Sequence, residues 1–75
     1  MLIATYDGSH LVNLDRFNYL EATYRGDGYW NDIYAEGDED SILLGRYLEE
    51  KTAREAFEHI AQSNGAISVF YMPKE

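Results

Sequence analysis

Histidine is the usual general base near neutral pH, and this chain has two, His10 and His59. His10 follows Asp7 and Ser9, the residue types of a nucleophilic triad. Three residues inside one tight turn do not easily reach triad geometry, and no glycine-framed nucleophile elbow surrounds Ser9. His10 is therefore read as a turn residue. His59 lies four positions after Glu55 on a helical pattern, where it is expected to meet that acid or the helix C-terminus. Asp38-Glu39-Asp40 offers hard oxygen ligands of the kind calcium and magnesium take. Consecutive acids cannot all point at one ion without unusual backbone, and the alternate spacing of a calcium loop is absent. Gly26-Asp27-Gly28 is rich in glycine, but it joins two strand-like runs and carries an acid that would repel phosphate. No catalytic, cofactor-binding or metal-ligating residue is assigned, and the chain is expected not to be an enzyme.

Aromatic and acidic residues carry the stronger signal. Seven tyrosines, three phenylalanines and one tryptophan sit in 75 residues, and core demand explains many of them. From Gly26 to Glu50 there are eight acids (Asp27, Asp32, Glu36, Asp38, Glu39, Asp40, Glu49 and Glu50) and one base, Arg46. That stretch holds −7 of the formal charge of −8. Such a field steers basic partners and speeds association at low salt. The plainer reading is that an acidic surface keeps a small protein soluble.

The overall charge argues against direct contact with nucleic-acid phosphates. With no cysteine, a disulfide scaffold, a thiolate zinc site and a cysteine nucleophile are excluded. No apolar run approaches the roughly 20 residues of a membrane helix. Met1 to Tyr6 lacks the basic region of a signal peptide. The expectation is one cytoplasmic domain spanning residues 1–75, with 45% apolar residues to build its core.

These residues must be positioned by short elements. Leu2 to Tyr6 and His10 to Leu14 read as strands joined by a turn at Asp7-Gly8. Asn13, Asp15 and Asn18 around Phe17 mark an irregular connection. Tyr19 to Arg25 and Tyr29 to Glu36 flank a hairpin whose loop residues are Asp27-Gly28. That register sets Ala22 opposite Ile33 and Leu20 opposite Ala35 on an apolar face. On the polar face Thr23 meets Asp32, Glu21 meets Tyr34 and Arg25 meets Trp30. A one-residue slip would mix the faces. Trp30, Tyr34 and Tyr19 fall on the polar side, where a large aromatic marks either a partner surface or cross-strand stacking of Trp30 on Arg25. Gly37 to Asp40 connects to a fifth strand, Ser41 to Tyr47, with Ile42 and Leu44 on one face, Leu43 on the other, and a bulge or close contact at Gly45. A helix starts near Glu49 or Glu50, with Ala53, Ala56, Phe57, Ile60 and Ala61 as its apolar stripe. Phe57 and Ile60 are its expected anchors, and Glu50–Arg54 and Lys51–Glu55 its solvent-side ion pairs. Asn64-Gly65 stops the helix, and Ala66 to Met72 forms a last strand. The fold class is α+β: an antiparallel sheet of about five strands in a meander, then one helix on one face, then a final strand.

Asp7-Gly8, Leu11-Val12-Asn13-Leu14-Asp15, Leu44-Gly45-Arg46-Tyr47, Ala53, Ala56, Ile60 and Val69-Phe70-Tyr71-Met72-Pro73 together form a frame. It resembles small uncharacterised proteins of low-GC Gram-positive bacteria and their phages, which read approximately DGxxxVNLD … LGxYxTEEEAxxALExI … VFxMP. The similarity spans most of the chain, and its motifs are structural. It implies a fold and a bacterial or phage origin, and it carries no activity. That pattern places Ser or Thr at the helix N-cap, where this chain has Glu49. Glutamate caps less well, so the helix start is expected to fray or shift.

The functional expectation is a small acidic, non-enzymatic protein–protein interaction module. Asp27, Trp30, Asp32, Tyr34, Glu36, Asp38, Glu39 and Asp40 would bind a partner with a basic surface. Its sharper form is a phage-type inhibitor occupying the basic groove of a nucleic-acid-binding or defence enzyme. The alternatives are a small-molecule or divalent-metal-binding domain, or a self-associating protein that dimerises through an edge strand. No cofactor, nucleic acid or membrane is expected as a direct partner.

Overall fold

The computed structural model describes residues 1–63 and 68–74. The expected helix stop at Asn64-Gly65, and Ala66 and Ile67 of the last strand, lie outside the described residues. In chain order the elements are β1 (Leu2–Ala4), β2 (Leu11–Asn13), a single 3-10 turn (Leu14–Arg16), β3 (Tyr19–Thr23), β4 (Asn31–Glu36), β5 (Ser41–Tyr47), α1 (Glu50–Ser63) and β6 (Val69–Tyr71). The α+β class holds, but the five-strand meander does not. The strands divide into two three-stranded sheets, ordered β2-β1-β6 and β3-β4-β5.

The division follows from the connection after β2. Asn13 accepts the Asp15 N–H at 3.0 Å and opens the 3-10 turn, and the Phe17 N–H closes it on the Leu14 carbonyl. This turn redirects the chain, so β3 starts a new sheet instead of extending β2. In the first sheet β1 is central. It pairs antiparallel with β2 and parallel with β6, setting Ile3 beside both Val12 and Phe70. Gly8 adopts a φ of 74° at the Asp7-Gly8 turn, a conformation that favours glycine. β1 and β2 are shorter than expected, because Thr5, Tyr6 and His10 serve the turn.

The second sheet has the expected hairpin register. Leu20 is opposite Ala35, Glu21 opposite Tyr34, Ala22 opposite Ile33 and Thr23 opposite Asp32. The ladder stops there, and the predicted pair of Arg25 with Trp30 does not form. Asn31 is the reason. Its side chain is fully buried and takes over the ladder's work. Oδ1 accepts the N–H groups of Arg25 and Gly26 at 2.7 and 3.1 Å. Nδ2 donates to the carbonyls of Gly26, Tyr29 and Tyr47 at 3.0, 2.9 and 3.1 Å. A buried amide with so many partners satisfies backbone that the strands leave open.

β5 carries a bulge. Ile33 pairs with Gly45 but Tyr34 pairs with Leu43, so Leu44 is the additional residue. Strict alternation from Ile42 and Leu44 would carry Arg46 inward. The bulge instead turns Leu44 and Gly45 inward together and Arg46 outward. The Leu44 carbonyl then accepts the Tyr6 N–H at 3.0 Å, which links the two sheets. Gly45 is a close contact as well. A Cβ there would lie 2.7 Å from Tyr47 Cε2 and 2.8 Å from Met72 Cε. Tyr47 is fully buried and donates its hydroxyl to the Pro73 carbonyl at 2.7 Å.

Helix α1 packs on β4 and β5 through Ala53, Ala56 and Ile60, all buried. Alanine at two of these positions lets the helix lie near the sheet. Two expectations change: Phe57 is half-buried and Ala61 is exposed, so the buried stripe is narrower than the sequence periodicity suggests. Ile60 is the main aliphatic anchor, worth about 1.5–3 kcal/mol of burial. The core joins Ile3 and Val12 of the first sheet, Ile33, Ala35, Leu44 and Tyr47 of the second, the helix stripe and Met72. No helix among the described residues is long and apolar enough to cross a membrane.

Candidate partner-binding face

The helix start is capped from a distance. Glu49 precedes the helix, and its carboxylate takes the Thr52 hydroxyl at 3.0 Å. The Glu50 N–H is accepted by Asp27 Oδ1 at 3.0 Å, from the tip of the β3–β4 hairpin. The Gly28 N–H donates to the Leu48 carbonyl at 2.9 Å beside it. Asp27 thus supplies the oxygen and negative charge that a helix N-terminus favours. On the same side Arg54 pairs with Glu50 and lies 4.1 Å over the Tyr24 ring. The Glu50 hydrogen bond raises the Arg54 pKa, and burial raises that of the Tyr24 phenol. The expected Lys51–Glu55 pair is not formed among the described residues. His59 meets the edge of the Phe70 ring at 6.3 Å rather than Glu55.

The outward side chains of β3, β4 and β5 form three rows across the sheet. One row is Thr23, Asp32 and Arg46; the next is Glu21, Tyr34 and Leu43; the third is Tyr19, Glu36 and Ser41. The alternation of β4 creates this face: Asn31, Ile33 and Ala35 are buried, whereas Asp32, Tyr34 and Glu36 are half-exposed. Arg46 binds Asp32 in a two-pronged ion pair, Nε to Oδ1 at 2.9 Å and a terminal nitrogen to Oδ2 at 3.2 Å. That carboxylate holds the Arg46 pKa above its ordinary value. The same guanidinium lies 5.6 Å from the Trp30 ring centre. The expected stack of Trp30 on Arg25 is therefore replaced by one on Arg46, which the bulge turned outward.

These contacts sort the expected binding residues. Asp27 is turned to the helix start. The Asp32 charge is neutralised by Arg46. Trp30, Tyr34 and Glu36 share the outer face, with Trp30 44% exposed. Glu36 Oε2 accepts the Ser41 hydroxyl at 3.1 Å and keeps its second oxygen for other partners. Asp38, Glu39 and Asp40 project from the β4–β5 turn at the far end of β4, where Asp38 accepts the Asn18 amide at 2.8 Å. Tyr19 (59% exposed), Glu21, Leu43 and Arg46 belong to this face and were missed as binding residues. The hairpin register already contained Tyr19 and Glu21. Arg46 had only an indirect signal, the bulge expected at Gly45, because the bulge reverses its side.

The Asp7 turn has the three triad residue types in an order unsuited to a relay. Ser9 Oγ stands between the other two, 2.7 Å from Asp7 Oδ1 and 2.8 Å from His10 Nδ1. In a triad the imidazole stands between acid and hydroxyl. Asp7 also accepts the Ser9 N–H at 3.0 Å and the Thr5 hydroxyl at 2.8 Å. The Ser9 hydroxyl, the Ser9 N–H and the Thr5 hydroxyl lower its pKa to about 2. The arrangement is that of a fastened turn. Among the described residues no group of three or more acids and histidines converges on a position for a metal ion.

No protein-family model, curated protein or solved structure matches the chain.

Proposed function

We propose that this chain is a small acidic, non-enzymatic protein–protein interaction module, and that the outer face of β3-β4-β5 receives a basic partner. The carrying observation is one sheet face holding Tyr19, Trp30, Tyr34 and Leu43 beside the carboxylates of Glu21 and Glu36. Amphipathic aromatics rimmed by charge are the composition of a binding face. The net charge of −8 adds a long-range pull on a basic surface. The sharper form of the proposal is an inhibitor that seats this face in the basic groove of a nucleic-acid-binding or defence enzyme, with Asp38, Glu39 and Asp40 at its rim.

The test is capture from the lysate of a low-GC Gram-positive bacterium on immobilised protein, at low and at high salt. The proposal expects a nucleic-acid enzyme retained at low salt, released at high salt and displaced by added DNA or RNA. A captured partner indifferent to both salt and nucleic acid would overturn the inhibitor form. A second reading, a site for a small ligand or divalent cation, rests on the open cleft lined by Arg16, Phe17, Gly37, Asp38, Glu39 and Asp40. A magnesium or calcium titration followed by the NMR shifts of the Gly37 to Asp40 amides tests it, and unchanged shifts would count against it.

A further inference from the structure

Among the described residues strand β3 is paired on one side only, with β4. Its partner β4 has Ile33 and Ala35 fully buried, yet the inward side chains of the β3 strand and its continuation, Leu20, Ala22 and Tyr24, remain half-exposed. The apolar layer is therefore open along this edge. The other edges are less available. β5 gives its Leu44 carbonyl to Tyr6, and β2 and β6 have three residues each. Exposed edges are ordinarily blunted by lysine, proline or a bulge. Tyr19 to Thr23 contains neither lysine nor proline, its one charged residue is Glu21, and its register with β4 is uninterrupted.

We propose that β3 pairs antiparallel with β3 of a second copy of this chain, about a two-fold axis at Ala22, to give a continuous six-stranded sheet. The pairing shares Tyr19 and Glu21 with the proposed binding face but rests on the open strand edge, not on a basic partner. Side-chain chemistry selects the axis. An axis at Glu21 would set two carboxylates directly opposite each other, which is unfavourable. An axis one residue further on removes that clash. Glu21 then faces Thr23 of the partner subunit, and Tyr19 faces Arg25 of the partner subunit, an aromatic beside a cation. On the inward side Leu20 faces Tyr24 of the partner subunit, near a small hollow lined by Leu14, Phe17, Asn18, Tyr19 and Leu20. Alanine at the axis lets the backbones approach. One strand pair buries little area, so the dimer is weak and forms at high protein concentration. Each copy carries −8, so added salt strengthens the association by screening repulsion. A basic partner on the outer face would show the opposite salt dependence.

Sedimentation of the full chain over a wide concentration range, with hydrogen exchange, tests the proposal. The expected result is a reversible dimer, with protection of the β3 amides rising with concentration. T23K places a lysine opposite each Glu21 and should tighten the dimer about fivefold. T23E places two acids opposite two acids and should loosen it by a similar factor. Circular dichroism of both variants checks that the fold is kept. A chain that stays monomeric throughout would overturn the proposal. So would a dimer whose β3 amides exchange independently of concentration, or one indifferent to both substitutions.

Discussion

Asp27 caps a helix that begins 23 residues later in the chain, its Oδ1 3.0 Å from the Glu50 N–H. The hairpin tip and the helix start are thereby tied together. The contact also explains how Glu49 can occupy the position before the helix, where a serine or threonine is usual. Asp27→Ala should lower stability by about 0.5–2 kcal/mol. Asp27→Asn keeps the acceptor and loses only the charge, so it should cost about 0.3–1 kcal/mol. Urea unfolding of the two variants gives both numbers, and equal costs would mean that charge rather than the hydrogen bond dominates.

Asn31 is the most consequential polar residue in the fold. Replacing it by alanine leaves the Arg25 and Gly26 N–H groups and the Tyr47 carbonyl without their side-chain partner. Only the bond to Tyr47 is buried, so at about 1–3 kcal/mol for that loss and less for the part-buried ones the total should be about 2–4 kcal/mol. That is a large share of a stability of about 5–15 kcal/mol. Asn31→Asp should be at least as damaging near neutral pH, since a carboxylate cannot donate to three carbonyl oxygens. Thermal unfolding checks both.

Gly45 is required by space. The Cβ of Gly45→Ala would meet Tyr47 and Met72 at 2.7 and 2.8 Å. Tyr47 is held by its hydrogen bond to Pro73 and cannot withdraw freely. The substitution should cost about 1–3 kcal/mol through overpacking. Denaturant midpoints measure this, and a neutral result would show that the Met72 side chain gives way.

Asp7 predicts an acid-side dependence of stability. Its folded pKa, about 2, lies below the ordinary 3.8. A depressed carboxylate pKa contributes stability above the unfolded value and loses it as pH falls through the folded one. The contribution should therefore fade between about pH 4 and pH 2. Asp7→Asn should flatten that part of the stability profile, and carbon-detected NMR titration of the Asp7 carboxyl should give a midpoint near 2.

Local rules made much of this architecture legible. The period of two, with Asp27-Gly28 as the turn, placed Leu20, Ala22, Ile33 and Ala35 in register and put Tyr34 and Trp30 on the outer side. Ser41 to Tyr47 and the start of α1 near Glu50 were visible for similar reasons. Features set by distant contacts were not. Parallel pairing of Leu2–Ala4 with Val69–Tyr71 has no local signature, so the division into two sheets stayed hidden. Asn31 read as an ordinary polar residue at a strand start, because the backbone it satisfies belongs partly to Tyr47. Arg46 changed sides through one additional residue at Leu44, and so Arg46, not Arg25, holds Trp30. Of the expected binding set, Trp30, Tyr34 and Glu36 share a face. Asp27 and Asp32 are engaged within the fold, which no count of acids could reveal.

Binding of a basic partner by the outer sheet face can be checked in a single comparison. Wild-type protein and a Glu21→Lys, Tyr34→Ala, Glu36→Lys variant are immobilised in parallel, and the proteins each retains from lysate at low salt are quantified by mass spectrometry. Unfolding curves of both confirm that the fold is kept. A basic protein should be enriched on the wild type and reduced at least tenfold on the variant. Equal retention on both, or no basic protein retained by the wild type, would contradict it.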